Sequence, residues 1–179
     1  TKLRNRLPWL LGIMALYIGA SSAIAPFQKT IAAVPVLAVI MPLFSNTGGT
    51  VGIQALTVTI RSLGVGEVTS KDTFKILCKE FLAGMGTAAA LGLTMVTLAL
   101  IWTPADVRWV ALVAGVVMAT NTLVAVTLGT LLPMGLKRLK LDPALVSGPL
   151  VTTMLDTIGF ILFLSLITFS LNVLKLPSV

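Results

Sequence analysis

Pro143–Leu174 reads PALVSGPLVTTMLDTIGFILFLSLITFSLNVL, and its only charged side chain is Asp156. A transmembrane helix needs about 20 predominantly apolar residues, so the run is long enough to cross a bilayer. Asp156 follows Asp142 by 14 residues. At about 1.5 Å per residue that is about 21 Å of helix, near the middle of a hydrocarbon core about 30 Å thick. A carboxylate there costs at least about 3 kcal/mol on insertion scales. It must face the protein interior, an aqueous path or a partner, and no Lys or Arg lies at comparable depth to pair with it.

The rest of the chain repeats the apolar pattern. Of its 179 residues 56% are hydrophobic and 11% charged, against roughly 25% charged in a soluble domain. Uncharged intervals predict an all-α integral membrane protein, a single transmembrane domain over residues 1–179. The spans fall at about 7–28, 30–62, 73–105, 109–136 and 143–174. Helices are expected because lipid cannot satisfy backbone polar groups. A β-barrel would instead show alternating segments of about 10 residues. The second span contains Pro35, Pro42, Gly48, Gly49 and Gly52, which predicts a kinked or broken helix. Small residues cluster on the third span (Gly84, Gly86, Ala88, Ala89, Ala90, Gly92) and the first (Gly12, Gly19, Ala20, Ser21, Ser22), as close helix packing requires.

Five spans place the termini on opposite sides. Lys2, Arg4, Arg6, Arg61, Lys71, Lys75, Lys79, Lys137, Arg138 and Lys140 then fall on one side, and Lys29, Arg108 and Lys175 on the other. By the positive-inside rule the N-terminus is cytoplasmic and the C-terminus outside, in the inner membrane of a cell. The net charge of +7 thus reads as topology signal. It forms no basic stripe with interleaved aromatics, so nucleic acid is not an expected partner.

With no His and one cysteine, Cys78, the usual ligands of zinc, copper or iron–sulfur centres are missing. A metal bound here must use oxygen, as Mg2+ and Ca2+ do. Asp156 can therefore be an ion or proton site, or a protonated acid tethered to a neighbouring helix through Thr120 or Asn121. One carboxylate is a poor divalent site, whereas a homodimer with the fifth span on its two-fold axis supplies two. Mg2+ dehydrates reluctantly, so its path would be wide enough for a hydrated ion. Thr152 and Thr153 are candidate contacts, with carbonyls at Gly148 and Pro149. The second span offers a facing wall at Asn46, Gly48, Gly49, Thr50 and Gln54, within the polar, Gly-rich stretch Ser45–Gln54. Glu67, Asp72 and Asp106 read as solvated charge. No enzyme is expected, because aspartyl chemistry needs a carboxylate pair with separated roles and the chain has one deep Asp and no His. A non-conducting structural subunit is a further alternative.

There is also an internal echo. Pro42–Gly52 (PLFSNTGGTVG) aligns with Pro149–Gly159 (PLVTTMLDTIG), as if two spans of an internal repeat met at a midplane site. In that alignment Asp156 corresponds to Gly49.

PLFSNTGGTVGIQALTVTIRSL and LDPALVSGPLVTTMLDTIGFILFLSLI, with RLPWLL, CKEFLAG and TNTLVAVTLGTLLP, resemble the membrane domain of MgtE magnesium channels over essentially the whole chain. The resemblance implies a homodimeric bundle of five helices per subunit with the pore at the dimer interface, lined by the second and fifth spans. It implies Asp156 as the intramembrane ligand of a largely hydrated Mg2+. The leading reading is a channel or channel-like transporter driven by the membrane potential, with Mn2+ or Co2+ as alternative ions. The resemblance places Glu80 and Asp142 at the cytoplasmic mouth. It also implies N-terminal cytosolic Mg2+-sensing domains, expected to be absent from this chain. The alternative use of Asp156 is in a proton-coupled exchanger. The sequence departs from the family at Gly48-Gly49-Thr50-Val51-Gly52-Ile53-Gln54, where members often read G-G-N-x-G-N-Q, and at Gly148, where some have Asn.

Overall fold

The computed structural model describes residues 2–69, 72–142, 148–173 and 175. Its elements are α1 (Lys2–Ser22), a 3-10 turn (Ala25–Phe27), α2 (Gln28–Ala33), α3 (Val36–Gly64), α4 (Thr73–Trp102), a second 3-10 turn (Ala105–Val107), α5 (Trp109–Arg138) and α6 (Gly148–Asn172). Among the described residues there is no strand. Five helical segments are long and apolar enough to cross a membrane: Leu10–Ala33, Val36–Gly64, Thr73–Trp102, Trp109–Arg138 and Gly148–Asn172.

The second span is broken, as its prolines predict, and the break falls at Pro35. The chain leaves helical geometry at Val34 (φ −140°, ψ 78°), because the ring of Pro35 crowds the residue before it out of the α region. From Val36 onward α3 is continuous through Pro42 and all of Gly48–Gly52. Its 29 residues make a rod about 43 Å long, longer than the hydrocarbon core is thick.

Helix α5 is the central element, packed against α3, α4 and α6. Small residues set how closely it approaches. A Cβ on Gly92 of α4 would lie 2.9 Å from the Gly115 carbonyl oxygen of α5, and one on Gly129 of α5 would lie 2.6 Å from the Gly52 carbonyl oxygen of α3. Backbones in such contact exchange side-chain volume for direct van der Waals packing. Of the small cluster on α4, Gly84, Ala88 and Gly92 are buried in this packing, whereas Gly86, Ala89 and Ala90 are exposed. On α1, by contrast, a Cβ on Gly12 or Gly19 would meet nothing within 4 Å. Helix α1 leans chiefly on α6.

Helices α3 and α6 run antiparallel. The Phe44 and Phe163 rings pack with centroids 4.6 Å apart. Gly49 lies against Thr152, and Gly52 against Leu155 and Val151. The apolar core falls into two clusters. One holds Leu37, Ile40, Phe44, Val110, Ala114, Phe163 and Ile167 with their neighbours. The other holds Val51, Leu56, Ala125, Val126, Val151 and Leu155. Between them, at Ser45–Gly49 on α3, Asn121–Thr122 on α5 and Asp156–Gly159 on α6, lies a layer of polar and small residues.

Candidate ion site

Within that layer the Ser45 hydroxyl lies beside the Asp156 carboxyl. Asp156 is partly exposed, but its Oδ1 is sealed from solvent and has no hydrogen-bond partner among the described residues. Neither tether considered from sequence is made directly. The Thr120 hydroxyl donates to the carbonyl of Val116, 2.9 Å away on its own helix, and the Asn121 amide is unpaired at both Nδ2 and Oδ1 among the described residues. A buried polar group with no partner at all would cost about 1–3 kcal/mol, so this layer is where a water, an ion or a further polar group is called for.

The internal echo explains how the layer is built. Its alignment matches Ser45 with Thr152, Gly49 with Asp156 and Gly52 with Gly159. In space, Ser45 meets Asp156 and Gly49 meets Thr152. An antiparallel pseudo-two-fold that swaps α3 with α6 exchanges these two contacts. It also maps the packing of Leu155 on Gly52 onto the pair Gly48 and Gly159. With glycine at both of those positions no leucine fills the gap, and Asn121 occupies it instead. A Cβ on Gly48 would lie 2.5 Å from Asn121 Nδ2, and one on Gly159 would lie 2.9 Å from the same atom.

The remaining sequence candidates separate into groups. Asn46, Thr50 and Gln54 are exposed along one stripe of α3, with Thr57 beyond them, whereas Gly48 and Gly49 face inward. The Thr50 hydroxyl donates to the Asn46 carbonyl at 2.7 Å. The Pro149 carbonyl is not bare: the hydroxyls of Thr152 and Thr153 both donate to it, at 3.2 and 2.7 Å. Thr152 stays partly exposed, and Thr153 is 2% exposed. Gly148 opens α6 beside Ile53, while residues 143–147 of the fifth-span motif lie outside the described residues. Glu80 does not join Asp156. It lines a cavity of about 180 Å³ between α3 and α4 with Gln54 and Thr87. Asp142 is exposed in the segment after α5. Among the described residues no three His, Cys, Asp or Glu side chains come together. Any divalent site at Asp156 is therefore completed by hydroxyls, carbonyls, waters or another subunit.

Sequence reasoning placed Ser45 only at the edge of a polar stretch and gave Asn121 no role beyond a tether. The spacing carried a usable signal. Gly48 follows Ser45, and Gly159 follows Asp156, by one helical turn, so each polar residue sits beside a notch on the same helix face.

Comparison with known proteins agrees with this architecture. The family model for MgtE, a divalent cation transporter, matches residues 41–166, which takes in α3 to α6 and the whole polar layer. The chain is 30% identical over 162 residues to the magnesium transporter MgtE of Enterococcus faecalis, covering 90% of this chain and 35% of the relative. It is 32% identical over 167 residues to that of Bacillus subtilis, covering 92% and 36%. It is 34% identical over 165 residues to that of Thermus thermophilus, covering 89% and 35%. The chain thus spans about a third of the length of these relatives. The match contains the whole polar layer around Asp156: the chain belongs to the MgtE family of divalent cation transporters.

Proposed function

We propose that this chain is the membrane-spanning part of a Mg2+ channel or channel-like transporter, working as a homodimer with the pore between subunits. The observation that carries the reading is the exposed stripe Asn46, Thr50, Gln54 and Thr57 on α3, with Ser45 and Asp156 beside it. Polar residues inside a span almost always face a bundle interior or a water-filled cavity. Here the stripe faces out of the subunit, so a second copy is what would enclose it. Two Asp156 carboxylates would then act on one largely hydrated ion, with Thr152, Thr50 and backbone carbonyls contacting its waters. Asp156 lowers the cost of a divalent charge at mid-membrane, and inner-shell water is kept because Mg2+ sheds it slowly. Two charges crossing 100 mV gain about 4.6 kcal/mol, enough to drive inward flow without a coupled ion.

Gly148, Pro149 and Gly49 shape the same wall, and Glu80 and Asp142 attract cations at the cytoplasmic mouth. Mn2+ and Co2+ are further cargo of matching ligand preference. The charge bias places the N-terminus in the cytoplasm and the C-terminus outside. Cytosolic Mg2+-sensing domains are the proposed regulatory partners, in keeping with the share of the relatives' length outside the match.

The sealed Oδ1 of Asp156 favours a second reading, in which the carboxyl alternates between proton and metal. Mg2+ influx into proteoliposomes, under an inside-negative potential without a pH gradient, separates the readings. Channel flow requires that wild type conducts and Asp156→Asn does not. Equal conduction by both would make Asp156 structural. Wild-type flux that appears only with an opposing proton gradient would establish exchange.

A further inference from the structure

Among the described residues three buried side-chain atoms have no hydrogen-bond partner: Nδ2 and Oδ1 of Asn121, and Oδ1 of Asp156. They belong to one place. Gly159, one turn beyond Asp156 on α6, and Gly48, one turn beyond Ser45 on α3, are the two residues whose missing Cβ atoms make room for the Asn121 amide. Asn121 is 0% exposed, so lipid and bulk solvent do not reach it. A leucine has nearly the same shape and would fill the notch at no polar cost. The group in the notch is instead an amide, with a donor and an acceptor, one turn from a carboxylate oxygen that lacks a partner.

A bound cation would satisfy the two oxygens but not the amide N–H, which repels it. A single water satisfies all three, accepting from Nδ2 and donating to oxygen; buried waters typically make two to four such bonds. Bridges of this kind hold polar groups nearly as well as direct bonds. We propose that Asn121 is a positioning residue for Asp156, joined through one interior water to the carboxyl Oδ1, so that the other carboxyl oxygen is presented to the ion in a fixed orientation. This rests on the reading of Asp156 as the ion ligand. It assigns α5, which contributes nothing to the exposed stripe, a part in setting the site's affinity.

The test uses the full-length protein with Asn121→Leu, which keeps shape and removes both polar atoms, and Asn121→Ser, which leaves a hydroxyl and room for a second water. In proteoliposomes Asn121→Leu is expected to raise the half-saturating Mg2+ concentration about tenfold, the size of one lost hydrogen bond, with maximal flux little changed. Asn121→Ser is expected to recover most of the loss. In Mg2+-free samples brought to low pH, the infrared band of the Asp156 carboxylic acid, identified by its disappearance in Asp156→Asn, is expected to move to higher frequency in Asn121→Leu as a hydrogen bond is lost. Unchanged half-saturation together with an unmoved band would overturn the proposal and leave Asn121 a packing residue. Should Asn121→Leu fail to assemble, the band position in Asn121→Ser decides, since an altered water bridge must shift it. If Asp156→Asn conducts like wild type, the ion-ligand reading fails, but the infrared arm still reports whether Asn121 and Asp156 are joined.

Discussion

Ser45 on α3 lies beside the Asp156 carboxyl on α6, and its counterpart in the internal echo, Thr152, lies against Gly49, the counterpart of Asp156. The same two-position contact is thus made twice, once with a carboxylate and once with a glycine. Antiparallel helices related in this way create a midplane seam that is alike from both directions, and a small polar layer on it separates two apolar clusters.

Because the contacts are exchangeable, the acid can be moved. Asp156→Gly is expected to abolish Mg2+ flux. Adding Gly49→Asp to that variant puts a carboxyl at the equivalent position beside Thr152, where the ideal Cβ falls 3.0 Å from the threonine methyl. A neighbour must give a few tenths of an ångström. Flux in the double variant is expected to return to roughly a tenth of wild type, a misplacement of about 1.4 kcal/mol. A double variant as silent as Asp156→Gly would show that the seam is not functionally symmetric.

The central helix is tuned by contact rather than by polarity. Gly129→Ala forces a Cβ to within 2.6 Å of the Gly52 carbonyl oxygen and 2.8 Å of the Ala55 Cβ. Overpacking of this kind costs about 1–3 kcal/mol. Gly86→Ala, on the open face of α4 with nothing within 4 Å, is expected to be neutral or to stabilise by up to about 1 kcal/mol through helix propensity. Thermal unfolding of the two variants in detergent checks the contrast. Equal stabilities would mean that α3 and α5 are less closely apposed than described.

How far these elements were legible in the sequence differs by the physics involved. Lipid permits few charges, so uncharged runs marked every long helix, and the lone Asp156 stood out at once. The break at Val34–Pro35 falls at one of the prolines that predict it, while α3 runs unbroken through Gly48, Gly49 and Gly52, because glycine weakens a helix by entropy that tertiary packing on α5 and α6 readily offsets. Ser45 could not be paired with Asp156 from spacing alone, and Asn121 could be named only as an alternative to Thr120, since which helix faces which is set by long-range packing. Asn121 in particular sits where it does because Gly48 and Gly159 are glycines together, a fact visible only once α3 and α6 are apposed.

A pH-dependent element lies outside the bilayer, where Thr69 precedes α4. Its N–H and hydroxyl both donate to Asp72 Oδ2, at 3.0 and 2.7 Å, and these bonds, with Lys75 nearby, hold the Asp72 carboxyl below the ordinary carboxylate range. A group with a lowered folded value contributes its stability above the unfolded value, and that contribution is lost as pH falls through the folded one. The turn is therefore expected to loosen only under acid conditions. Thr69→Val removes the hydroxyl bond and is expected to bring the Asp72 titration, followed by carboxyl carbon NMR, up toward the usual range. An unmoved titration would assign the effect to the backbone N–H alone.

The proposed pore between two copies is testable by the geometry of the exposed stripe. If a two-fold axis runs beside α3 and α6, Thr50 of one subunit approaches its own copy, whereas Leu112, 62% exposed on α5, faces lipid. The native thiol Cys78 is exposed, so it is first replaced by serine. In that background Thr50→Cys is expected to form an oxidative dimer in native membranes, and Leu112→Cys is expected to remain monomeric under the same conditions. Added Mg2+ should slow the Thr50 cross-link, since a hydrated ion between the stripes keeps the thiols apart. Cross-linking through position 112 but not 50 would place the subunit contact on α5. The polar stripe would then face something other than a second copy, and Asp156 would have to serve a path within one subunit.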